Sequence, residues 1–455
     1  MDGNWVDLLR DVYGGNTMIL RMGAVESDVY RVDQGLRQGC PMSCMLFLLY
    51  IENVARSVHN SGLGFCLQGG HETVRIPLLL FADDMVLLGT SASEVQTLLD
   101  ICGETTEERG LLFNEKKSAI LYFSGSKDNF DCKIQDKLLP VKEEYRYLGV
   151  VVTARRDFLK EEQNIRLKKG TRGSAVVRGK ALWTFNRFIV ARNVWKAVFV
   201  PALTYANAVL VLGGDVEKKL EVMQRDVVRF ALGCRFTFSK EFLQGEGDMS
   251  SFWFREAQAK LVFWTRLERL SDDRWVAKFH KIKKLLSVKT KWDRRVEFSA
   301  RLLGYNKREW EGAGLGVQEV KGMIREQQVK DWTESMRDRS SLVVYRSKKV
   351  EWGGVEGLYD NSRGSALLAD ARAVMLDTNV HRSHFEEVGT LCAFCGQEDE
   401  TVEHVVIGCS SLALREVELV VALGLGDAVM WDEVRETKKR LACWKRRKEE
   451  DTGVI

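Results

Sequence analysis

An α+β fold is predicted for this 455-residue chain by the order of its helical and strand patterns. Over residues 1–153, segments with apolar residues at helical spacing are followed in turn by short segments in which apolar and polar residues alternate, the pattern typical of hairpin strands. That order favours a mixed α+β domain over a doubly wound parallel sheet. From residue 154 onward helical patterns prevail. We therefore expect two mainly helical regions, 154–245 and 246–385, followed by a small terminal region, 386–455.

The composition is that of an ordinary globular protein, with 45% hydrophobic and 29% charged residues. The formal net charge of +4 is small, so any nucleic-acid contact must come from local clusters of basic side chains. No apolar run of about 18 residues and no signal-like leader occurs. We expect an intracellular protein of the nucleus or cytoplasm that does not cross a membrane.

Two adjacent carboxylates, Asp83 and Asp84, interrupt the apolar stretch 78–88. Apolar residues on both sides of a sharp acidic pair predict a buried β-hairpin with the acids at its turn. A divalent cation would relieve the repulsion and desolvation of two carboxylates at such a tip. For the dipeptide alone, the alternative is an ordinary exposed Asp-Asp turn.

A segment bracketed by glycines, Gly35 to Ser43, precedes an apolar helix that we predict from Met45 to Val54. The glycines around Arg37 and Gln38 permit close backbone approach to a ligand. A helix N-terminus with a nearby arginine also attracts phosphate groups. An ordinary junction between a loop and a helix is the alternative.

Beyond the acidic hairpin, the sequence predicts an amphipathic helix over about 93–109. The stretch 111–123, which contains Lys117, predicts a turn flanked by strands. A second, aromatic hairpin is predicted over 145–152.

Four segments in this order resemble the palm of non-LTR (LINE-type) retrotransposon reverse transcriptases: Gly35 to Ser43, Phe81 to Asp84, Asn114 to Ser118 and Tyr145 to Val150. Four motifs in register are far more specific than any one of them. The resemblance covers the first third of the chain and implies a partial palm, followed by a helical thumb and connector.

The resemblance also implies roles for single residues. Those lining the template and nucleotide site are Arg37, Gln38 and Gly39. Asp83 and Asp84 match the paired metal-binding acids, and Phe81 stands where an aromatic residue is usual. Lys117 matches a lysine held near the nucleotide phosphates. The residues that match the primer grip are Tyr147, Leu148 and Gly149.

The implied activity is RNA-directed DNA synthesis, a nucleotidyl transfer assisted by two divalent ions. Carboxylates suit Mg²⁺ or Mn²⁺, because hard cations prefer oxygen ligands. The implied partners are an RNA template, a DNA primer or target, and deoxynucleoside triphosphates (dNTPs).

The family's palm needs one more aspartate, on a strand before the helix that matches Trp5 to Tyr13. Met1 stands where that strand should just have ended, and the fingers would also lie upstream. We therefore expect an N-terminally truncated polypeptide that is inactive as a polymerase by itself. The alternative is a noncatalytic nucleic-acid-binding remnant with a structural zinc site.

Basic and aromatic residues dominate the stretch 161–200, whose acids are Glu161 and Glu162. It falls where the family's thumb grips the template-primer duplex, so we expect phosphate contacts. A solvated helix face over an aromatic core is the alternative. The basic residues are Arg166, Lys168, Lys169, Arg172, Arg178, Lys180, Arg187, Arg192 and Lys196, and the aromatic ones are Trp183, Phe185, Phe188, Trp195 and Phe199.

Near the end, Cys392, Cys395, His404 and Cys409 form a C-x2-C-x8-H-x4-C arrangement. Three thiolates and one imidazole at this spacing can close a tetrahedral Zn²⁺ site. We expect Glu403 to be the partner of the histidine ring. Reduced cysteines in a small hairpin are the alternative.

Many non-LTR elements carry a similar zinc knuckle after the polymerase, which implies nucleic-acid binding. The spacing differs from that of the shorter retroviral-type knuckle, so the alternative is a site that only staples a small C-terminal domain. The tail 438–448 is basic around Trp444. It predicts either phosphate contacts or a solvated helix end.

Overall fold

The computed structural model describes residues 3–32, 35–123, 131–155, 157, 159–234, 238–349, 352–353, 357–425 and 428–451. The chain forms two compact units, Met1–Glu143 and Glu144–Ile455. Helices and short strands alternate in the first unit and helices prevail in the second, so the predicted mixture of helix and strand is confirmed. None of the described helices is long and apolar enough to cross a lipid bilayer.

Three helices and ten short strands form the described part of the first unit. The helices are α1 (Gly3–Tyr13), α2 (Ser43–Asn60) and α3 (Ala92–Glu107). The strands are β1 (Thr17–Met18), β2 (Arg21–Met22), β3 (Val25–Glu26), β4 (Tyr30–Arg31), β5 (Phe65–Gly69), β6 (Glu72–Ile76), β7 (Leu78–Phe81), β8 (Asp84–Leu87), β9 (Lys133–Ile134) and β10 (Lys137–Leu138). They form antiparallel pairs, β1 with β4, β2 with β3, β5 with β6, β7 with β8 and β9 with β10.

The core of the first unit lies between α2, α3 and the base of the β7–β8 hairpin, because apolar residues recur at helical spacing on the facing sides of both helices. Ser91 caps α3 by accepting a hydrogen bond of 3.1 Å from the backbone N–H of Glu94. The buried apolar residues are Ile51, Val54, Val58, Leu78, Leu98, Leu99, Cys102, Cys132, Ile134 and Leu139.

The second unit begins with a hairpin of β11 (Glu144–Tyr147) and β12 (Val150–Thr153). Its helices are α4 (Lys160–Ala181), α5 (Arg187–Val194), α6 (Val200–Thr204), α7 (Gly214–Leu232), α8 (Lys240–Gly247), α9 (Phe252–Leu267), α10 (Trp275–Leu285), α11 (Lys291–Leu302), α12 (Lys307–Gly312), α13 (Val317–Ser335), α14 (Val343–Lys348), α15 (Arg363–Arg372), α16 (Asn379–Arg382), α17 (Leu419–Ala422) and α18 (Trp431–Asp451). Single π-helical turns occur at Trp195–Phe199 and His404–Gly408.

A buried ion pair ties distant helices of the second unit together. Arg372 donates a hydrogen bond of 2.8 Å to Glu246, and both residues are fully buried. The hydroxyls of Tyr345 and Tyr359 donate to the same carboxylate at 2.8 and 2.6 Å. A buried charge persists only with such partners, so this cluster fixes α8 against α14 and α15.

The predicted strands within 111–123 are wrong, apart from one isolated bridge between Ile120 and Val141. The centre of this stretch is a single helical turn, Glu115–Lys117. The Asn114 side chain accepts hydrogen bonds from the backbone N–H groups of the two residues after Glu115, which favours the turn over an extended strand. The division into four domains stays a prediction; the 145–152 hairpin lies in the second unit.

Candidate active site and metal centre

The acidic pair lies at the tip of the β7–β8 hairpin, as predicted. Phe81 pairs with Asp84, so Ala82 and Asp83 form a two-residue turn. Ala82 has a φ of 52°, a left-handed conformation that costs a residue with a Cβ atom about 1–2 kcal/mol. Such strain persists where the surrounding structure requires it, and it is common at functional sites.

The hairpin is not fully buried, contrary to the prediction. Leu78 at its base is buried, but Phe81 is 63% exposed, and Asp83 and Asp84 are exposed. The reason is that β7 and β8 pair with each other and with no third strand among the described residues. The two carboxylates therefore face solvent, where a cation or a phosphate-bound metal can reach them.

The acidic pair is a partial ligand set in the part of the chain described. Two-metal nucleotidyl transfer uses several oxygen ligands, which hold both ions. Within the described ranges, no group of three or more potential ligands (histidine, cysteine, aspartate or glutamate) includes Asp83 or Asp84.

The segment around Arg37 is held against α1 and the start of α2. The Arg37 guanidinium donates to the Asn16 side chain and lies 5.8 Å from the centre of the Tyr13 ring. Ser43 donates a hydrogen bond of 2.8 Å to the Arg37 carbonyl, and Gly39 has a φ of 81°. These contacts give the exposed Arg37-Gln38-Gly39 segment a defined backbone.

Lys117 ends the turn Glu115–Lys117, and its side chain is exposed. Its backbone N–H donates to the Asn114 side chain at 3.2 Å. The turn places the lysine on the surface of the first unit, the same unit as Arg37 and Asp83.

The predicted primer-grip residues lie in the β11–β12 hairpin of the second unit. Leu148 and Gly149 form its two-residue turn, with φ values of 46° and 81°. The Tyr205 hydroxyl donates a hydrogen bond of 2.8 Å to the Leu148 carbonyl. A Cβ atom on Gly149 would lie 3.3 Å from the Tyr205 ring, so the glycine permits this close contact. Sequence reasoning missed Tyr205, which is far away in the chain.

Part of the predicted basic face is used inside the protein. Arg166 is buried, pairs with Glu162 at 3.1 Å and donates to Asn207 at 2.8 Å. Lys196 pairs with Asp248. The prediction that Arg166 contacts phosphate is therefore wrong, because its guanidinium is enclosed. The exposed basic residues of α4 are Lys160, Lys168, Lys169, Arg172, Arg178 and Lys180.

The cysteines and histidine converge in one cluster, as predicted. Their four ligand atoms all lie within 4.8 Å of one another. Cys392 Sγ is 3.9 Å from Cys409 Sγ, far longer than a disulfide bond of about 2.05 Å. Cys395 Sγ is 3.3 Å from His404 Nε2. Gly396, with a φ of 64°, turns the chain directly after Cys395.

Two of the clustered thiols, Cys392 and Cys395, have different pKa values. Burial raises the pKa of Cys392 to about 11. Hydrogen bonds from the backbone N–H groups of Gln397 and Glu398 lower the pKa of Cys395 to about 7. The histidine partner is Glu398, whose Oε2 lies 2.9 Å from His404 Nδ1, and the prediction of Glu403 is wrong.

The basic tail forms α18, which packs on the Cys/His segment. Arg440 is 6% exposed and donates to the carbonyls of Val405 and Leu412 at 2.6 Å and of Cys409 at 3.3 Å. Lys448 pairs with Glu400 at 2.7 Å, and Lys438 and Lys445 pair with aspartates. These four basic side chains therefore have structural partners, whereas Arg446 is exposed; contact of the tail with phosphate stays a prediction.

Comparison with known proteins finds a family likeness in the first third of the chain. Residues 7–152 match the model of the family described as "Reverse transcriptase (RNA-dependent DNA polymerase)". This stretch contains every predicted polymerase residue, from Arg37 to Gly149.

Two curated relatives give the finer likeness. Both are named "Retrovirus-related Pol polyprotein from type-1 retrotransposable element R2". The one from Bradysia coprophila is 29% identical over 160 residues, 32% of this chain and 18% of the relative. The one from Popillia japonica is 30% identical over 128 residues, 26% of this chain and 17% of the relative. The resemblance to non-LTR retrotransposon reverse transcriptases is thereby confirmed, and the chain covers less than a fifth of either relative.

Proposed function

We propose that this chain carries the palm segment of an RNA-directed DNA polymerase. The observation that carries the proposal is the exposed acidic hairpin, with Asp83 and Asp84 at a strained turn, inside the stretch that matches the reverse transcriptase family. The proposed partners are an RNA template, a DNA primer and dNTPs.

In this proposal Asp83 and Asp84 hold Mg²⁺ ions. The bound ions would supply activation of the primer 3′ oxygen and charge stabilisation on the leaving pyrophosphate. Arg37, Gln38, Gly39 and Phe81 would contact template and nucleotide. Lys117 would neutralise phosphate charge or donate a proton to the departing group.

Holding the primer strand is the role proposed for Tyr147, Leu148 and Gly149. The Tyr205 hydrogen bond to the Leu148 carbonyl supports this role, because it fixes the turn of that hairpin. A fixed turn can position a strand without a further entropic cost on binding.

We further propose that the chain by itself binds template-primer without extending it, because the described residues offer Asp83 and Asp84 no third carboxylate. The test combines a poly(rA)·oligo(dT) binding assay with primer extension in Mg²⁺ or Mn²⁺. We expect binding that weakens several-fold in Lys117→Ala but not in Arg56→Ala, an exposed arginine of the same unit. Primer extension that is abolished by Asp83→Ala would overturn the second half of the proposal.

A second function, structural zinc binding, is favoured by the Cys/His cluster. Zinc–thiolate bonds of about 2.3 Å in a tetrahedral site separate two sulfurs by about 3.8 Å. The 3.9 Å between Cys392 and Cys409 fits this value. The ion would be held by those two thiolates, Cys395 and His404 Nε2, with Glu398 orienting the ring.

Metal analysis of the purified chain tests the zinc site. We expect one zinc per chain, and loss of that zinc in Cys395→Ser. The matched control is Cys443→Ser, since Cys443 is exposed and lies outside the cluster. A metal-free chain, or one that keeps its zinc in Cys395→Ser, would contradict the proposal. If zinc and nucleic acid bind but dNTPs do not, the result favours the alternative of a noncatalytic nucleic-acid-binding remnant.

A further inference from the structure

The turn between α4 and α5 presents two aromatic side chains to solvent. Trp183 is 88% exposed and Phe185 is 85% exposed. The neighbouring aromatics Phe188 and Trp195 are buried, at 2% and 0%. Two large apolar side chains this exposed in one turn need a reason beyond folding, because burying them would stabilise the protein.

Hydrogen bonds hold the backbone of this turn in place, although its two aromatic side chains are exposed. Asn361 donates a hydrogen bond of 2.6 Å to the Thr184 carbonyl and accepts one of 2.7 Å from the Arg187 backbone N–H. Asn186 is buried and donates to the Tyr359 carbonyl at 2.8 Å. The backbone between the two rings is therefore anchored to a separate segment, and the rings project from a fixed support.

Positive charge flanks this turn in the sequence. Residues 163–214 contain no aspartate or glutamate, and nine lysines and arginines lie among them. One face of α4 is buried through Arg166, Gly170, Gly173, Val177 and Ala181. On its exposed side, the basic residues from Lys168 to Lys180 extend over about 18 Å at 1.5 Å per residue, and Trp183 follows shortly after them in the sequence.

We propose that Trp183 and Phe185 form a stacking platform for unpaired nucleic-acid bases, with the exposed basic side of α4 holding the adjoining phosphates. Exposed aromatics beside a basic groove are the usual means of binding single strands, because every base has a face that can stack. The basic residues of this stretch favour a polyanion over a neutral protein surface as the partner. The site goes beyond the proposed polymerase function and does not depend on Asp83 or Asp84.

The test measures dissociation constants of the full chain for fluorescent single-stranded oligo(dT), oligo(U) and a blunt duplex of equal length. We expect Trp183→Ala to weaken single-strand binding about tenfold, the range typical for loss of one stacked base. Trp183→Phe should keep most of the affinity, whereas Trp183→Leu should lose it, since leucine is apolar but cannot stack. Duplex binding should change less than twofold.

Phe279→Ala is the matched control, because Phe279 is an exposed aromatic on another helix and should have no effect. Raising the salt concentration should weaken single-strand binding less steeply in Arg178→Gln than in the unaltered chain, since one phosphate contact is lost. Because Trp183 and Phe185 are exposed, we expect the variants to keep the melting temperature of the unaltered chain, which verifies that they fold.

Unchanged single-strand affinity in the Trp183→Ala, Phe185→Ala double variant would overturn the proposal. So would equal losses for single strand and duplex, or a chain dimer in sedimentation that Trp183→Ala dissociates. If binding still depends on Trp183, tighter binding of oligo(U) supports the platform and identifies the strand as RNA. Tighter binding of oligo(dT) supports it equally and identifies the strand as DNA. Because no extension is measured, failure here leaves the polymerase proposal standing.

Discussion

The Oε2 atom of Glu398 lies 2.9 Å from Nδ1 of His404, which leaves Nε2 of the same ring 3.3 Å from the thiol of Cys395. A carboxylate that accepts from one ring nitrogen fixes the tautomer and turns the other nitrogen toward a metal. Glu398 is therefore the positioning residue of the proposed zinc site.

Replacement of Glu398 should weaken zinc binding without abolishing it. We expect Glu398→Ala to lower zinc affinity about 10–100-fold, the usual effect of removing such a partner. Competition with a chromophoric chelator measures this. Glu403→Ala is the control and should retain full affinity; a larger loss there than in Glu398→Ala would contradict the assignment.

Arg440 should hold α18 on the Cys/His segment. Arg440→Met removes a buried guanidinium that donates to the carbonyls of Val405, Leu412 and Cys409. We expect a loss of about 2–4 kcal/mol in the free energy of unfolding of this segment. Urea unfolding at saturating zinc measures it, with the exposed Arg446→Met as control. Equal stabilities of the two variants would show that the Arg440 contacts contribute nothing.

The left-handed conformation of Ala82 predicts opposite effects of two substitutions. Ala82→Gly should leave the β7–β8 hairpin intact, since glycine adopts a φ of 52° without strain. Ala82→Val should destabilise it by about 1–2 kcal/mol, because a β-branched residue is more strained there. Amide hydrogen exchange at the hairpin reports the difference, expected as roughly tenfold faster exchange in the valine variant. Similar exchange in both variants would refute the turn geometry.

Glu268 should make stability depend on acid pH. Although burial opposes its charged form, hydrogen bonds from His280 and Lys284 lower its pKa to about 2, from 4.5. A carboxyl with a lowered pKa stabilises the fold above its unfolded pKa, and that stability is lost as the pH falls toward the folded pKa. The stability gap between the unaltered chain and Glu268→Gln should therefore narrow by roughly 1 kcal/mol from pH 7 to 3.5, allowing for partial solvent screening. A gap that does not change with pH would contradict this.

Sequence patterns sufficed where the partners are close in the chain. The β7–β8 hairpin follows from apolar residues on both sides of Asp83 and Asp84. The Cys/His cluster draws its four ligands from Cys392 to Cys409, so their spacing alone indicates it. The confirmed family likeness likewise rests on short motifs in register.

Contacts between distant residues left no such signal. Arg372 and Glu246 pair across 126 residues, and each looks like an ordinary surface charge in the sequence. Trp183 and Trp195 lie in one basic, aromatic stretch, yet the first is 88% exposed and the second is buried. Periodicity cannot distinguish them, because the end of α4 and the start of α5 decide which ring turns inward.

The central claim, that the acidic hairpin binds a divalent metal, is tested most directly by cleavage with bound Fe²⁺. Iron in place of Mg²⁺, with ascorbate and peroxide, cuts the backbone near its ligands. The zinc-loaded chain is treated with template-primer and dNTP present. The matched control is the double variant Glu107→Gln, Glu108→Gln, because these two glutamates form an exposed acidic pair in the same unit.

We predict cleavage within a few residues of Asp83 and Asp84 that Mg²⁺ competes away. This cleavage should disappear in the double variant Asp83→Asn, Asp84→Asn and persist in the glutamate control. Absence of cleavage at this hairpin in the unaltered chain, or cleavage that survives in the aspartate double variant, would contradict the account.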